Sequence, residues 1–350
     1  MFGTDIGIDL GTATVLIFEK KHGVVLREPS IVAVDIDTGD ILAVGLEAKR
    51  MVGRTPGNIV SVRPLRDGVI ADYSMTEAML HYFMKRIITG WRRFFKNRVM
   101  ICVPSGATDV ERRAVLEAAG EVGAKEAYII EEPMAAAIGA GLDVEEPKGK
   151  MVVDVGGGTT DIAVISMGGI VVSKSLRVGG DKFDENIMRY MRREYNLAIG
   201  DQTAENLKIQ IGTCLPSAEQ ESSMVIKGRD LIQGLPRQLE VSSSAIHKAI
   251  SELIQSLIDG VRNVLEITPP ELSADIIDGG IVLTGGGALL NGLSELISRQ
   301  TGIYSFVAEK PMECVALGTG ETLASIDALM ASGRNGILVN TRRKRKDRFY

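Results

Sequence analysis

Cysteine is scarce in this chain. Cys102, Cys214 and Cys314 are far apart and in no C-x-x-C spacing, so neither a disulfide framework nor a zinc site is indicated, and a reducing cytoplasm is the expected compartment. Histidine is equally sparse: His22, His81 and His247 stand alone with no H-E-x-x-H, and each reads first as an ordinary surface or core side chain. Without G-x-x-x-x-G-K-[ST], G-x-G-x-x-G or G-x-S-x-G there is no P-loop, no dinucleotide fingerprint and no nucleophile elbow. No apolar run reaches the ~18 residues that span a bilayer, and Met1-Phe2-Gly3-Thr4-Asp5 carries no basic segment ahead of an apolar one; neither a transmembrane helix nor an export signal is expected. Excess basic charge is lacking too. The balance of 40 Lys and Arg against 45 Asp and Glu leaves −5, which argues against a nucleic-acid binder with a wholly basic surface and leaves local basic patches open.

What is present is ordinary globular material, 45% apolar and 24% charged over 350 residues, enough for two domains. Two short segments within it rhyme. Asp9-Leu10-Gly11-Thr12-Ala13-Thr14 follows the apolar Ile6-Gly7-Ile8 and leads into Val15-Leu16-Ile17-Phe18; Asp154-Val155-Gly156-Gly157-Gly158-Thr159-Thr160-Asp161 follows Met151-Val152-Val153 and leads into Ile162-Ala163-Val164-Ile165. This is a duplicated strand, tight turn, strand unit. Small turn residues let backbone N–H groups converge on an anion, and an Asp at a strand end can hold a divalent cation through water. Either segment alone is as readily a plain hairpin; the pair points to two turns gripping a nucleotide's phosphates. Asp9 and Asp154 would then face a polyanion, which is unfavourable unless a cation intervenes, so Mg2+ is implied. Thr12, Ala13 and Thr14, with Gly157, Gly158 and Thr159, would donate to phosphate oxygens.

Strand-like and helix-like patterns alternate along the chain, which predicts α/β architecture. Ser74-x-x-Glu77 has the form of a capping box opening a helix that carries Met75, Met79, Tyr82, Phe83 and Ile87, and Thr108-x-x-Glu111 opens another. Val99 to Val103 and Ala127 to Ile130 read as buried strands. A long amphipathic helix is expected from Ser244 to just before Pro269-Pro270. Gly280 to Thr284 then reads as a strand running into Gly285-Gly286-Gly287 and a helix with Leu289, Leu293 and Ile297. The second half thus repeats the first in outline, and the polar, breaker-rich stretch Glu145 to Lys150 marks the division.

Glu131-Glu132-Pro133-Met134-Ala135-Ala136-Ala137 puts acids at a helix start with Pro in the first turn. Glu132 is there either as a cap or to orient the water that attacks a γ-phosphate, since phosphoryl transfer depends mainly on positioning and electrostatics.

With this turn between the hairpins and Thr284-Gly285-Gly286-Gly287-Ala288 after them, the chain resembles the actin, sugar kinase and heat-shock chaperone ATPase superfamily. Within it the resemblance is closest to the bacterial actin homologues of the MreB/Mbl family. It covers about residues 5 to 330 and includes loops outside the nucleotide motifs: Arg54-Thr55-Pro56-Gly57-Asn58-Ile59, Arg63 to Asp72, Gly180-Asp181-Lys182-Phe183-Asp184, and Thr268-Pro269-Pro270-Glu271-Leu272. The resemblance implies an actin-like (ribonuclease H-like) fold of duplicated domains around a central ATP cleft. Domain I would comprise residues 1–145 with about 318–340, including a small subdomain at about 32–65. Domain II would be 146–317, with a small subdomain at about 182–245, and 341–350 a disordered basic tail.

Carried over residue by residue, the resemblance gives Asp9 and Asp154 to the metal through water. Gly11, Thr12, Ala13 and Thr14, with Gly156, Gly157, Gly158 and Thr159, would hold phosphates, and Glu132 and Thr159 would place the hydrolytic water. Gly179, Gly180 and Asp181 would line the cleft, Glu205 and Lys208 the ribose and adenine side, and Gly285, Gly286, Gly287, Ala288 and Leu289 with Gly318 would close over the base. Without the family, Glu205 and Lys208 read as a solvated helical ion pair. Two positions depart from the pattern: Thr14 stands where Asn is frequent, and Asp161 where many MreB sequences have Glu, a feature more like Mbl. Neither removes a phosphate donor.

Trp91-Arg92-Arg93-Phe94-Phe95-Lys96-Asn97-Arg98 interleaves aromatics and cations between a predicted helix and strand. Trp91, Phe94 and Phe95 flanked by Arg92 and Arg93 suit the headgroup region of anionic lipid, or else complete the helix's core face. An apolar membrane-insertion loop lies at the matching place in the family. The run Arg342 to Arg348 is a basic tail that could attract anionic lipid.

The function implied is an ATP- and Mg2+-dependent, membrane-associated filament protein in the cytoplasm, at the inner face of the membrane. Such a protein organises lateral peptidoglycan synthesis and maintains rod shape. Its partners would be further copies of itself in paired protofilaments, anionic lipid, and by resemblance RodZ, MreC and MreD, with no nucleic acid. Any ATPase activity would be slow and tied to polymer state. A small-molecule kinase of this fold would need substrate-binding insertions for which 350 residues leave little room, and a chaperone ATPase would need a peptide-binding domain after about residue 330.

Overall fold

A computed structural model describes residues 5–88, 97–121, 123–217 and 221–331. The chain falls into two compact units, Met1–Glu145 with Glu313–Tyr350, and Glu146–Met312.

The first unit begins with β1 (Asp5–Leu10), β2 (Thr14–Glu19) and β3 (Gly23–Pro29), an antiparallel meander. A small sheet follows, with β4 (Val32–Asp35) at its centre between β5 (Ile41–Val44) and β6 (Ile59–Val62), and carries α1 (Leu46–Met51). The short hairpin β7 (Leu65–Arg66) and β8 (Val69–Ile70) leads into α2 (Tyr73–Ile87). The chain then adds β9 (Arg98–Val103), α3 (Asp109–Glu121), β10 (Glu126–Glu131) and α4 (Glu132–Gly139). β9 and β10 join the main sheet in parallel, giving the order β10-β9-β1-β2-β3. The last helix, α10 (Cys314–Ala331), packs on β1 and α4. Gly7 permits that approach, since a Cβ there would lie 2.4 Å from Thr319 Oγ1. Arg98 ties the same end together, bonding Asp5 at 2.7 Å and Asp327 at 3.0 Å.

The second unit repeats this plan. β11 (Lys150–Val155), β12 (Thr160–Ser166) and β13 (Gly169–Leu176) form the meander. The insertion here is α5 (Gly180–Tyr195), β14 (Leu197–Ala198), α6 (Asp201–Ile211), β15 (Ser223–Asp230) and β16 (Pro236–Ser242), with the three strands in one small sheet. Then come α7 (Ser243–Glu266), α8 (Pro270–Gly279), β17 (Ile281–Thr284), a single 3-10 turn Gly286–Leu289, α9 (Leu293–Thr301) and β18 (Ser305–Val307). The main sheet reads β13-β12-β11-β17-β18, two strands added antiparallel on one side and two parallel on the other, as in the first unit. Central strands Met151 to Val155 and Ile162 to Ile165 are buried throughout, as a sheet covered on both faces requires. The apolar stripe of α7, Ile246, Ile250, Ile254, Leu257, Val261 and Val264, closes over this core.

Two local expectations are corrected. The N-cap of α2 is Asp72, whose side chain accepts from Met75 N at 3.0 Å, two residues ahead of the Ser74 capping box. Asp holds its acceptor as well as Ser at this position, and the tight β7–β8 hairpin delivers the chain to Asp72 first. The helix expected through Leu289, Leu293 and Ile297 is two pieces, because Gly292 at φ 77° breaks it. The Thr108–Glu111 box does form, with Thr108 N to Glu111 Oε2 at 2.7 Å and Glu111 N to Thr108 Oγ1 at 3.3 Å.

Candidate functional site

In the first unit the turn between β1 and β2 is fixed from behind. Ser30 Oγ donates to Gly11 O at 2.6 Å, Ser30 N to Ala13 O at 3.0 Å, and Gly68 N to the buried Thr12 Oγ1 at 3.1 Å. Asp9 stands one residue before the end of β1. Glu132 opens α4, with Pro133 in the first turn where its missing N–H costs nothing. The neighbouring acid Glu131 is held aside by Arg112 at 2.7 Å, so the two adjacent carboxylates are separated in role and charge. Between Asp9 and Glu132 lies Cys102, its Sγ 3.4 Å from Asp9 Oδ1 and 4.0 Å from Glu132 Oε1. Burial, with the charges of Asp9 and Glu132, pushes this thiol well above its ordinary value, so it keeps its proton.

In the second unit the equivalent turn is docked on a helix start. Gly180 N and Asp181 N, in the first turn of α5, donate to Gly156 O at 3.0 Å and Gly157 O at 2.8 Å, and Gly156 N closes on Thr159 O at 2.9 Å. Gly179 comes so near that a Cβ would sit 2.6 Å from Gly157 O. Lys208 of α6 reaches back to Gly180 O at 2.9 Å and Asp184 Oδ2 at 2.8 Å. It is therefore part of a half-buried ion pair across two helices, and Glu205 bears on the same cluster by raising Asp184. On the other side Gly285, at φ 79°, brings its backbone against Val155, where a Cβ would lie 2.3 Å from Val155 O. Such a conformation suits glycine alone. Gly286, Gly287, Ala288 and Leu289 form the 3-10 turn that follows, Ala288 buried and Leu289 exposed.

Asp154 is sealed in this framework. Thr284 Oγ1 donates to its Oδ1 at 2.7 Å, and burial, aided by Asp161, lifts the carboxyl from 3.8 to about 7. An acid so placed is short of counter-charge, the condition a nearby cation would relieve.

The structure thus gathers Asp9, the Gly11–Thr14 turn and Glu132 in one unit. In the other it gathers Asp154, the Gly156–Thr159 turn, Gly179 to Asp181, Glu205, Lys208 and Gly285 to Ala288. Gly318 is buried in α10 of the first unit, where a Cβ would come 1.9 Å from Ala135 O of α4, the helix that Glu132 opens; close helix packing requires a glycine there. Trp91, Arg92, Arg93, Phe94, Phe95 and the basic tail lie outside the described residues. Three members of the clusters receive no role from sequence: Cys102, Thr284 and Asp184. Thr284 and Asp184 lie in stretches that carry the family resemblance, whereas Cys102 carries no signal beyond its place in an apolar strand.

Two copies of one mixed five-stranded plan, each with an acid-tipped hairpin and a small inserted sheet, define an actin-like fold. A model of the MreB/Mbl protein family matches residues 3–331, and the chain belongs to that family. It is 54% identical over 330 residues to the cell shape-determining protein Mbl of Bacillus subtilis (strain 168), covering 94% of this chain and 98% of that one. Against the cell shape-determining protein MreB of Escherichia coli (strain K12) it is 50% identical over 331 residues, covering 93% and 95%. The crystal structure of MreB 5 of Spiroplasma citri bound to AMPPNP superposes with a TM-score of 0.89 at 40% identity, over 95% of this chain and 99% of that one.

Proposed function

We propose that the chain is an ATP-binding, actin-like filament protein that assembles at the inner face of the cell membrane, organises lateral peptidoglycan synthesis and maintains rod shape. The observation that carries the nucleotide reading is the duplicated turn, with a carboxylate near each central strand's end and small residues after it. The AMPPNP held by MreB 5 of Spiroplasma citri supports the same reading.

The donor set suits a magnesium nucleotide. Magnesium keeps several waters and takes one or two carboxylates beside the phosphates. Two carboxylates are on offer, and among the described residues no group of three or more His, Cys, Asp or Glu side chains could hold a metal by itself. Bound Mg2+ neutralises charge on the phosphates during transfer. Asp9 and Asp154 would hold its waters, the Gly11–Thr14 and Gly156–Thr159 turns the phosphates, and Glu132 with Thr159 the attacking water. Gly179, Gly180 and Asp181 would line the nucleotide, Glu205 and Lys208 would meet its ribose and adenine side, and Gly285 to Leu289 its base. Hydrolysis would be slow and coupled to polymer state.

Self-association fits the exposed apolar side chains on both small insertions, Ile36, Leu42 and Leu46 in the first unit and Ile209, Val225 and Ile232 in the second. No helix among the described residues is long and apolar enough to cross a membrane, so membrane association would rest on Trp91, Phe94 and Phe95 with Arg92 and Arg93, aided by the basic tail. RodZ, MreC and MreD are the wall-elongation partners proposed. Glu132→Ala tests the assignment: phosphate release should fall by about 10²-fold with ADP affinity kept. Unchanged release removes Glu132 from the chemistry, and turnover stimulated by a sugar would favour a kinase instead.

A further inference from the structure

We propose that Cys102 is a positioning residue for the nucleotide chemistry, its thiol orienting the Asp9 carboxylate that would hold the metal's waters and setting its distance from Glu132. This rests on the nucleotide reading above. The juxtaposition is a product of the sheet. β1 and β9 run parallel with Ile8 beside Ile101, so the next step along both strands places Asp9 and Cys102 side by side. β10 lies on the other flank with Ile130 beside Cys102, and two residues later the chain turns into α4 at Glu132. One sulfur therefore meets β1, β9 and α4: it lies 3.4 Å from Asp9 Oδ1 and 4.0 Å from Glu132 Oε1.

The residue type suits the task. A thiol is a weak donor with a large, polarisable body. Donating to Oδ1, it fixes the rotamer of Asp9 yet competes little with metal-bound water for the remaining lone pairs. Its sulfur is buried and stands within contact distance of both carboxylates. Partners that orient metal-binding groups from behind typically matter by 10- to 100-fold, about the effect expected here.

The full-length chain provides the test. In infrared spectra without nucleotide, the S–H stretching band of Cys102, identified by its loss in Cys102→Ser, should lie below that of a free thiol and should move when Mg2+ and ADP are added. In calorimetric titrations of ADP at varied Mg2+, Cys102→Val should raise the Mg2+ needed for half-saturation by about tenfold. ADP affinity at saturating Mg2+ should be unchanged, and Cys102→Ser, which retains a donor, should recover most of the loss. An unshifted band, or an unaltered Mg2+ requirement in Cys102→Val, overturns the role of Cys102 alone. Should Cys102→Val fail to fold, the band of the wild-type chain and a raised Mg2+ requirement in Cys102→Ala decide. A wild-type chain that binds no ADP overturns the nucleotide reading itself.

Discussion

Asp154 is an acid held where acids are poorly solvated, and its environment fixes how stability responds to pH. With its carboxyl lifted from 3.8 to about 7, the folded chain keeps between these values a proton that the unfolded chain has released. Stability of the nucleotide-free chain should therefore fall as pH rises from about 4 to about 7 and level off above. Asp184, lifted to about 6 by burial against the opposing pull of Lys208, acts in the same direction over a narrower window. Asp154→Asn should melt higher than the parent at about pH 8 and show a flatter profile in thermal scans; an unchanged slope would contradict the assignment. Lys208→Met removes the cation from a carboxylate that remains buried, and urea unfolding should show a loss of about 1–3 kcal/mol. Asp9, Asp154 and Glu132 were legible in the sequence because each sits beside a local signal, a strand end or a Pro-bearing helix start. Cys102, Thr284 and Asp184 act on partners far along the chain, and only the strand register and helix packing bring those pairs together.

At the scale of elements, glycine placement separates packing from site. α4 and α10 approach through Gly139 and Gly318, where added Cβ atoms would meet Cys314 O at 1.8 Å and Ala135 O at 1.9 Å. Gly318→Ala should cost about 1–3 kcal/mol by overpacking, read as a lowered melting temperature. A stable Gly318→Ala variant with weakened nucleotide binding would return this residue to the site. The turn joining β15 to β16 is held by Asp230, whose Oδ1 accepts from Ile232 N at 2.8 Å and Gln233 N at 2.9 Å while Oδ2 meets Arg237 at 2.9 Å. Those amides and the guanidinium hold its carboxyl down at about 2, so its contribution is present above about pH 4 and disappears toward 2. Asp230→Ala should speed amide hydrogen exchange at Ile232 and Gln233 and leave the main sheet protected; equal exchange would show the turn needs no such anchor. Element types were legible from periodicity, whereas boundaries shifted where one cap outcompeted another, as Asp72 did, or where a glycine at positive φ cut a helix, as Gly292 did.

At the scale of the whole molecule the duplication is the organising fact. It was legible because both copies keep the same order of apolar strand, small-residue turn and apolar strand, and because the glycine turn at Gly285 punctuates the second copy. The two small inserted sheets were not legible as sheets from residue pattern. Their strands, such as Val225 to Asp230, alternate inward and exposed positions, but the inward places of that strand hold Gly228 and Asp230 beside Ile226, so no apolar alternation marks it in the sequence, and the family resemblance alone placed them. In the proposed function, nucleotide state controls self-assembly on a membrane. Sedimentation of the full chain with anionic vesicles, compared with ATP and Mg2+, with ADP and Mg2+, and without nucleotide, reads this out. Polymer should appear in the vesicle-bound pellet in a nucleotide-dependent way and be lost when Asp9 and Asp154 are both replaced by Ala; a chain that stays monomeric and unbound in all three conditions would overturn the proposed function.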